Sequence, residues 1–509
     1  MPDVMPDVTP DVTVAIIGSG FSGIGMAARL RRAGIDDVVL LERAADLGGT
    51  WRDNSYPGAA CDVPSHLYSF SFAPNPGWTR SFSPQPEIWE YLRRVADDEG
   101  ITGKIRFREE VTAAHWDLSA RVWRIETTSS RLTARFLVSA TGPLSDPLIP
   151  GIPGLDTFAG TVFHSATWDH DYDLTGRNVA VIGTGASAIQ FVPQIQPLVN
   201  QLTLFQRTPP WIIPRYDRQI SRPERWLFRH APVTQRIARA GIYAGREAYA
   251  LGFVKDPDIM RTAEGLARHH LHRQVADPDL RARLTPSYRM GCKRILISND
   301  YYPALTQPNV SLVTDSIKEI REKSVLTSDG TAYEADTLIF GTGFHVSDFP
   351  SAQRIFDSAG VSLARRWSAK PARTAFRGTT TAGFPNLFVL TGPNTGLGHT
   401  SQVFMIEAQI RYVVSALVHA RRHRIDRIEV RPAAQDAYDR MVQRKMRRTV
   451  WVTGGCKSWY LDADDRNVAL WPDFTWVYAW QTRRFDPSNY DLGQSIRDKT
   501  LIPDATRPS

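Results

Sequence analysis

The order of apolar and polar positions follows one grammar twice. Val12 to Ile17 reads VTVAII, an unbroken β-branched run of the kind a strand buried on both faces requires. Gly18-Ser19-Gly20-Phe21-Ser22-Gly23 follows at once. IGMAARLRRAG then has helical spacing to about Gly34, and Asp37-Val38-Val39-Leu40-Leu41-Glu42 is a second apolar run that ends in an acid. The grammar returns with Asn178-Val179-Ala180-Val181-Ile182, the turn Gly183-Thr184-Gly185-Ala186-Ser187-Ala188, helical residues to about Ile195, and a strand from Gln201 to Phe205 followed by Gln206-Arg207-Thr208. Between about Asp217 and Pro286 glycine turns and β-rich runs vanish. There RWLFRHAPVTQRIARAGIYAGREAYALGF and TAEGLARHHLHRQVADPDLRARL read as helical. Strand, glycine turn, helix, strand, twice over, predicts an α/β chain with two Rossmann-like dinucleotide-binding domains and a helical insertion.

Each part of the first unit has a physical reason. Gly18 permits the tight turn, Gly20 lets backbone approach a pyrophosphate, and Gly23 lets the helix pack on the sheet. The helix N-terminus offers free N–H groups and partial positive charge to phosphates. Glu42, nineteen residues beyond Gly23, suits the hydroxyls of an unphosphorylated ribose, so this site predicts FAD or NAD rather than NADP. In the second unit the matching position is Arg207. A guanidinium pairs with a phosphate dianion that a carboxylate would repel, which predicts NADPH bound through its 2′-phosphate, with Lys293 as a second charge.

A chain of 509 residues is too long for one core, so two or three domains are expected. The net charge of +8 reads as a solvated surface with excess Arg, or as attraction for phosphate-bearing cofactors. Arg421-Arg422-His423-Arg424 and Arg447-Arg448 lack the aromatic interleaving or zinc spacing of a nucleic-acid site, so no nucleic-acid partner is expected. No sequence run reads as a membrane span, and the acidic, repetitive start MPDVMPDVTPDVT reads as a frayed leader rather than a secretory signal. The three cysteines, Cys61, Cys292 and Cys456, contain no CxxC. Their number and spacing predict small packing residues in a reducing, cytoplasmic compartment, with neither structural disulfide nor metal.

Two nucleotide sites in one chain suggest hydride passing from NADPH to flavin, and from there to a disulfide, a quinone or O2. A disulfide reductase needs a cysteine pair beside the flavin, and no CxxC or CxxxxC exists here. The stretch between the two units narrows the choice. It runs Phe158-x-Gly160-x-x-x-His164-x-x-x-Trp168-Asp169. This resembles the fingerprint of the type I Baeyer–Villiger monooxygenases, and the likeness extends from about Val12 to the FDPSNY region. N- and S-oxygenating flavin monooxygenases share both glycine turns and are the alternative, but their linker lacks the Trp-Asp or Trp-Pro close.

The resemblance implies FAD and NADPH as cofactors, a small-molecule ketone and O2 as substrates, and an ester or lactone as product through a flavin C4a-peroxide, with sulfoxidation as a side activity. It implies flavin contacts from Gly18, Gly20, Phe21, Ser22, Gly23, Glu42, Arg43, Gly49, Thr50, Trp51, Asp62, Tyr68, Val111, Ala140, Thr141, Gly142 and Asn394. For NADPH it implies Gly183, Thr184, Gly185, Ala186, Ser187, Gln190, Arg207, Thr208, Lys293, Arg294 and Trp459. Arg294, in Gly291-Cys292-Lys293-Arg294, resembles the active-site arginine, with Asp62 to orient it. Ser458-Trp459-Tyr460 resembles the segment that closes over the nicotinamide. Phe158, Gly160, His164, Trp168 and Asp169 take a positioning, hinge-like role. Turns such as Val138-Ser139-Ala140-Thr141-Gly142 and Gly341-Thr342-Gly343-Phe344 mark where such chains pass between domains. The expected division is 12–145 and 344–509 for FAD, 146–216 and 287–343 for NADPH, and 217–286 for the insertion.

Overall fold

The computed structural model describes residues 9–346, 350–369, 374–462 and 464–494; the expected leader lies mostly outside them, at 1–8. The first apolar runs pair as parallel strands: Val12–Ile17 lies between Val38–Glu42 and Arg131–Ser139, with Ile17 opposite both Leu41 and Ser139. The sheet runs on through Ile105–Phe107 on one side and Val122–Thr127, Val111–Asp117 and Ile355–Phe356 on the other. Leu387–Val389 joins Arg131–Ser139 from the C-terminal part of the chain. Helix Phe21–Arg32 packs against Gln402–His423. The latter is long and apolar enough, by length and composition, to cross a bilayer, but most of its apolar window is buried within the protein.

A second, fully parallel sheet has the order Val310–Val313, Gln201–Phe205, Asn178–Ile182, Thr337–Phe340, Thr161–His164. Both sheets direct strand C-termini and glycine turns toward helix N-termini, the geometry of a doubly wound nucleotide fold.

The long helical stretch breaks where its prolines fall. Arg222–His230 is capped by Ser221, whose hydroxyl accepts from the Glu224 N–H, and Pro232–Ala248 restarts with proline in its first turn. A wider turn, Leu251–Lys255, precedes Met260–Gln274, and Asp277-Pro278 caps the short helix Pro278–Arg283. This insertion packs back on the first sheet's loops: the Arg239 guanidinium donates to the carbonyls of His66 and Ser69, and the Gln235 amide to that of Asn75.

Candidate active site

Side-chain-free positions shape the first cradle. Gly18 has φ +98°, and a Cβ there would sit 3.0 Å from the Ala140 carbonyl oxygen; a Cβ on Gly23 would sit 1.9 Å from that of Gly18. Gly49, with φ +54°, brings its backbone against Gly20, where a Cβ would lie 3.2 Å from the Gly20 Cα. The helix opens at Phe21 with no side-chain cap and no acid in its first turn, so its N–H groups are free for an anion. Glu42 is buried and heavily engaged. The Ser19 N–H and hydroxyl donate to one carboxylate oxygen at 3.0 and 2.6 Å, and the Ala44 N–H and Arg52 to the other at 3.0 and 2.9 Å. Ser19 and Arg52 escaped the sequence reading. Arg43 turns to Asp146 at 2.8 Å, Thr50 reaches the Leu144 carbonyl, and the Trp51 indole donates to the Tyr68 hydroxyl at 3.1 Å. Val111 is buried in its strand, Thr141 meets Ser351 at 3.0 Å, and Gly142 has φ +68°. The Asn394 side chain donates its amide to the carbonyls of Asn467 and Leu470 at 2.8 and 3.1 Å, which makes it a brace for the C-terminal loop.

The second cradle repeats the device. Gly183 has φ +110°, and a Cβ there would sit 2.5 Å from the Gly341 carbonyl oxygen. Gly185, Ala186 and Ser187 lead into helix Ala188–Ile195, with the Thr184 hydroxyl on the Thr208 carbonyl. Arg207 is exposed, with no hydrogen bond or ion pair among the described residues. Lys293 stands close enough that burial first, and the Arg207 charge second, depress its pKa. Two cations facing one another without an acid form a site that a phosphate dianion would relieve. Gln190 instead bridges the two nucleotide units. Its carbonyl oxygen accepts from the Tyr56 hydroxyl at 2.9 Å and the Ala60 N–H at 3.3 Å, and its amide donates to the Ala60 carbonyl at 3.0 Å.

Between the cradles, Arg294 and Asp62 meet side by side. Arg294 Nε donates to Asp62 Oδ2 at 2.9 Å, and Nη2 reaches both carboxylate oxygens at 2.7 Å. Each side chain remains partly open, 38% and 25% exposed, so the pair borders a space rather than being sealed in core. From the insertion, Arg246 donates to the Asp62 carbonyl at 3.0 Å. Burial pushes the Asp62 carboxyl up, but the charge and hydrogen bonds of Arg294, with the Arg246 charge, outweigh it and hold its pKa below the ordinary range. Asp62 in turn raises Arg294, so both stay charged. Buried Tyr460 stands near enough to feel both charges, its hydroxyl pushed up to about 12 chiefly by burial. Trp459 is 49% exposed. Sequence reasoning missed Arg246, and it gave no role to Tyr460, which lies buried beside Arg294.

The linker touches both nucleotide units. A Cβ on Gly160 would lie 2.2 Å from the Asp336 carbonyl oxygen, and Phe158 packs on the neighbouring core. His164 ends strand Thr161–His164. Its Nδ1 accepts from the Ala166 N–H at 3.1 Å, and its ring stands edge-on to Phe344. Burial lowers its pKa to about 4, and its Nε2 has no hydrogen-bond partner among the described residues. Trp168 packs on Phe163 and Phe191, centroids 5.1 and 5.3 Å away. Asp169 is exposed and caps its own turn through the Asp171 N–H, while neighbouring His170 reaches Ser55 at 2.8 Å on the other unit.

One expectation is overturned. Cys292 and Cys456 are joined in a disulfide across 164 residues, and only Cys61 remains a free, buried thiol among the described residues. The sequence reading sought cysteines paired by spacing along the chain, whereas folding brings two distant glycine-flanked segments together. Among the described residues no group of three or more His, Cys, Asp or Glu could hold a metal ion.

Such a fold and site define a flavoprotein with two dinucleotide cradles and a charged pair between them. Residues 15–227 match the family of pyridine nucleotide-disulphide oxidoreductases. A Baeyer-Villiger monooxygenase of Streptomyces coelicolor is 54% identical over 483 residues, spanning 94% of this chain and 92% of the relative. Another Baeyer-Villiger monooxygenase, from Pseudomonas aeruginosa, is 50% identical, spanning 94% of this chain and 91% of the relative. The crystal structure of OTEMO in complex with FAD and NADP superposes with a TM-score of 0.85 at 25% identity, covering 96% of this chain and all of that one. The chain belongs to the Baeyer–Villiger monooxygenases, and it is a flavin-dependent monooxygenase.

Proposed function

We propose that the chain oxygenates small-molecule ketones to esters or lactones with NADPH and O2, and that Arg294 and Asp62 are its reaction-site pair. Bound FAD would supply the redox and oxygen chemistry. Its pyrophosphate would lie on the Phe21–Arg32 N-terminus, where Gly18, Gly20, Gly23 and Gly49 leave backbone bare. NADPH would lie on the second cradle, with Arg207 and Lys293 on its 2′-phosphate. Residues 12–145 and 344–509 would form the FAD domain, 146–216 and 287–343 the NADPH domain, and 217–286 the insertion, with His164 and Trp168 setting the two domains against each other. Trp459 would stand on the nicotinamide side.

The observation that carries the reading is the two-point Arg294–Asp62 pair, braced by Arg246 and open on one side. A guanidinium fixed in one orientation can stabilise negative charge that develops on a reacting oxygen without reorganising. Asp62 keeps it charged and aimed. The test is a panel of cyclic, linear and aryl ketones with NADPH consumption and ester formation both measured. Consumption with only hydrogen peroxide formed, for every ketone and for sulfides, would defeat the oxygenase reading. Oxygenation of sulfides or amines alone would favour the alternative of an N- or S-oxygenating enzyme.

A further inference from the structure

The Cys292–Cys456 bond ties the segment that carries Arg294 to the segment that carries Tyr460. Cys292 is two residues before Arg294, and Cys456 is three before Trp459 and four before buried Tyr460. The Cα atoms stand 6.1 Å apart. The contact is shaped for the pair: a Cβ on Gly454 would lie 2.7 Å from the Cys292 Cβ, so only glycine admits this approach, and the Arg289 N–H donates to the Gly454 carbonyl at 3.0 Å. Beyond that hydrogen bond the segment is thinly held. Gly455, Lys457 and Trp459 are exposed, and among the described residues 455–459 make no hydrogen bond or ion pair outside 454–461, Cys456 being tied to Cys292 by the disulfide itself. The covalent bond is the main restraint between Gly454 and Tyr460. The two residues differ in burial: Cys292 is fully buried, and Cys456 is only half-buried.

We propose that Cys292–Cys456 is a reversible redox-modification site whose state sets how firmly the Trp459 segment is held beside Arg294 during turnover. The proposal rests on the reading of that segment as the nicotinamide-side cover. The oxidant is hydrogen peroxide, released whenever NADPH oxidation is not coupled to oxygen insertion. The Cys456 thiolate attacks one peroxide oxygen, the O–O bond breaks, and the departing hydroxide takes a proton to leave as water. The sulfenic acid so formed is attacked by the Cys292 sulfur; the S–O bond breaks and a second water leaves. Two thiols lose two electrons and one peroxide gains them. Reduction runs through the exposed side: a dithiol attacks the Cys456 sulfur, Cys292 leaves as thiolate, and the dithiol closes to its own disulfide while its protons pass to the two cysteines. A loose cover that leaks peroxide therefore drives its own tethering, and a reducing compartment resets it.

The experiment compares FAD-loaded enzyme in its reduced and peroxide-treated forms, and the Cys456→Ser variant. Thiols are counted after unfolding, trypsin cleavage after Lys457 is followed over time, and peroxide and ester are measured per NADPH. Peroxide treatment should lower the count from three thiols to one. The one-thiol form should be cleaved severalfold more slowly and divert severalfold less NADPH to peroxide, and Cys456→Ser should behave like the reduced enzyme whatever the redox state. A thiol count unmoved by peroxide or reductant, or equal cleavage and equal peroxide yield in both forms, would overturn the proposal. If neither form makes ester from any ketone while cleavage still changes with redox state, the tether stands and the ketone-oxygenase reading fails.

Discussion

Replacing Arg207 with alanine should separate the two nicotinamide cofactors. Arg207 has no counter-ion among the described residues, and Lys293 beside it is already discouraged from carrying charge by burial and by Arg207 itself. NADP carries a 2′-phosphate dianion that NAD lacks, so only NADPH gains from this pair. A hydrogen bond to a charged group contributes about 1.5–3 kcal/mol. Arg207 is exposed, so screening and side-chain entropy reduce its share to about 2 kcal/mol for the whole guanidinium. At about 1.4 kcal/mol per factor of ten, that is roughly a 30-fold rise in KM for NADPH. Lys293 keeps part of the binding in Arg207→Ala, because losing its like-charged neighbour favours its ammonium form. Removing both should therefore cost more than the sum of the two single losses, since neither cation is left to compensate for the other. Initial rates with NADPH and NADH at two ionic strengths give the measurement. NADH parameters should hold within about twofold, and added salt should weaken NADPH binding less in the variant than in the parent. Equal losses for both cofactors would refute the reasoning and leave Arg207 a general structural charge.

Arg294→Ala should retain FAD and still be reduced by NADPH, yet form ester at least about a hundredfold more slowly, the scale of losing one preorganised charge stabiliser; stopped-flow reduction and product assay in the same preparation separate the steps, and normal ester formation would dismiss the assignment. Gly23→Ala forces a Cβ to 1.9 Å from a backbone carbonyl that cannot swing aside, so the purified variant should show little flavin absorbance per chain. His164 makes stability depend on pH. Its folded pKa of about 4 lies below the ordinary 6.5, so its contribution is fully present above 6.5 and is lost as pH falls toward 4, about 3 kcal/mol in all. Thermal melts from neutral to mildly acidic pH should therefore fall more steeply for the parent than for His164→Asn, with buried His66 supplying a residual slope in the same window in both proteins.

What was legible in the sequence is what short range dictates. Gly18, Gly20 and Gly23 act within one turn, and their conformations follow from their own neighbours. Arg207 at a strand end, where the first unit has Glu42, was legible for the same reason, since the two units share a frame. The contacts that join the units were not. Arg246 meets Asp62 across 184 residues, Gln190 meets Ala60 across 130, and Cys292 meets Cys456 across 164. An arginine on an insertion helix gives no local sign of which loop it will reach. For the cysteines a sign existed: Gly291-Cys292 and Gly455-Cys456 sit in segments both assigned to the nicotinamide side, and two segments that must approach one site place their cysteines near each other. At Asn394 the motif gave no sign of the side chain's long-range partners, since its amide braces the C-terminal loop through the carbonyls of Asn467 and Leu470.

The Arg294–Asp62 pair owes its character to these long-range contacts. Arg294 comes from the stretch after helix Pro278–Arg283, Asp62 from the first unit's loop, Arg246 from helix Pro232–Ala248 and Tyr460 from the C-terminal part. One carboxylate thus faces two guanidinium groups. A neutral Arg–Asp pair would have little charge left to offer a developing anion, because each partner would satisfy the other. The second arginine changes that balance. Its N–H occupies the Asp62 main-chain carbonyl and its charge adds to the field, so the site keeps a net positive charge while Arg294 stays locked at two points. Concentrating cations is unfavourable on its own, and burial lowers the Arg246 pKa accordingly. The insertion can carry that cost because its other anchors, Arg239 on His66 and Ser69 and Gln235 on Asn75, hold the helix in place independently of the reaction site. A helical segment that looks dispensable in sequence therefore completes the charge balance on which the role proposed for Arg294 rests.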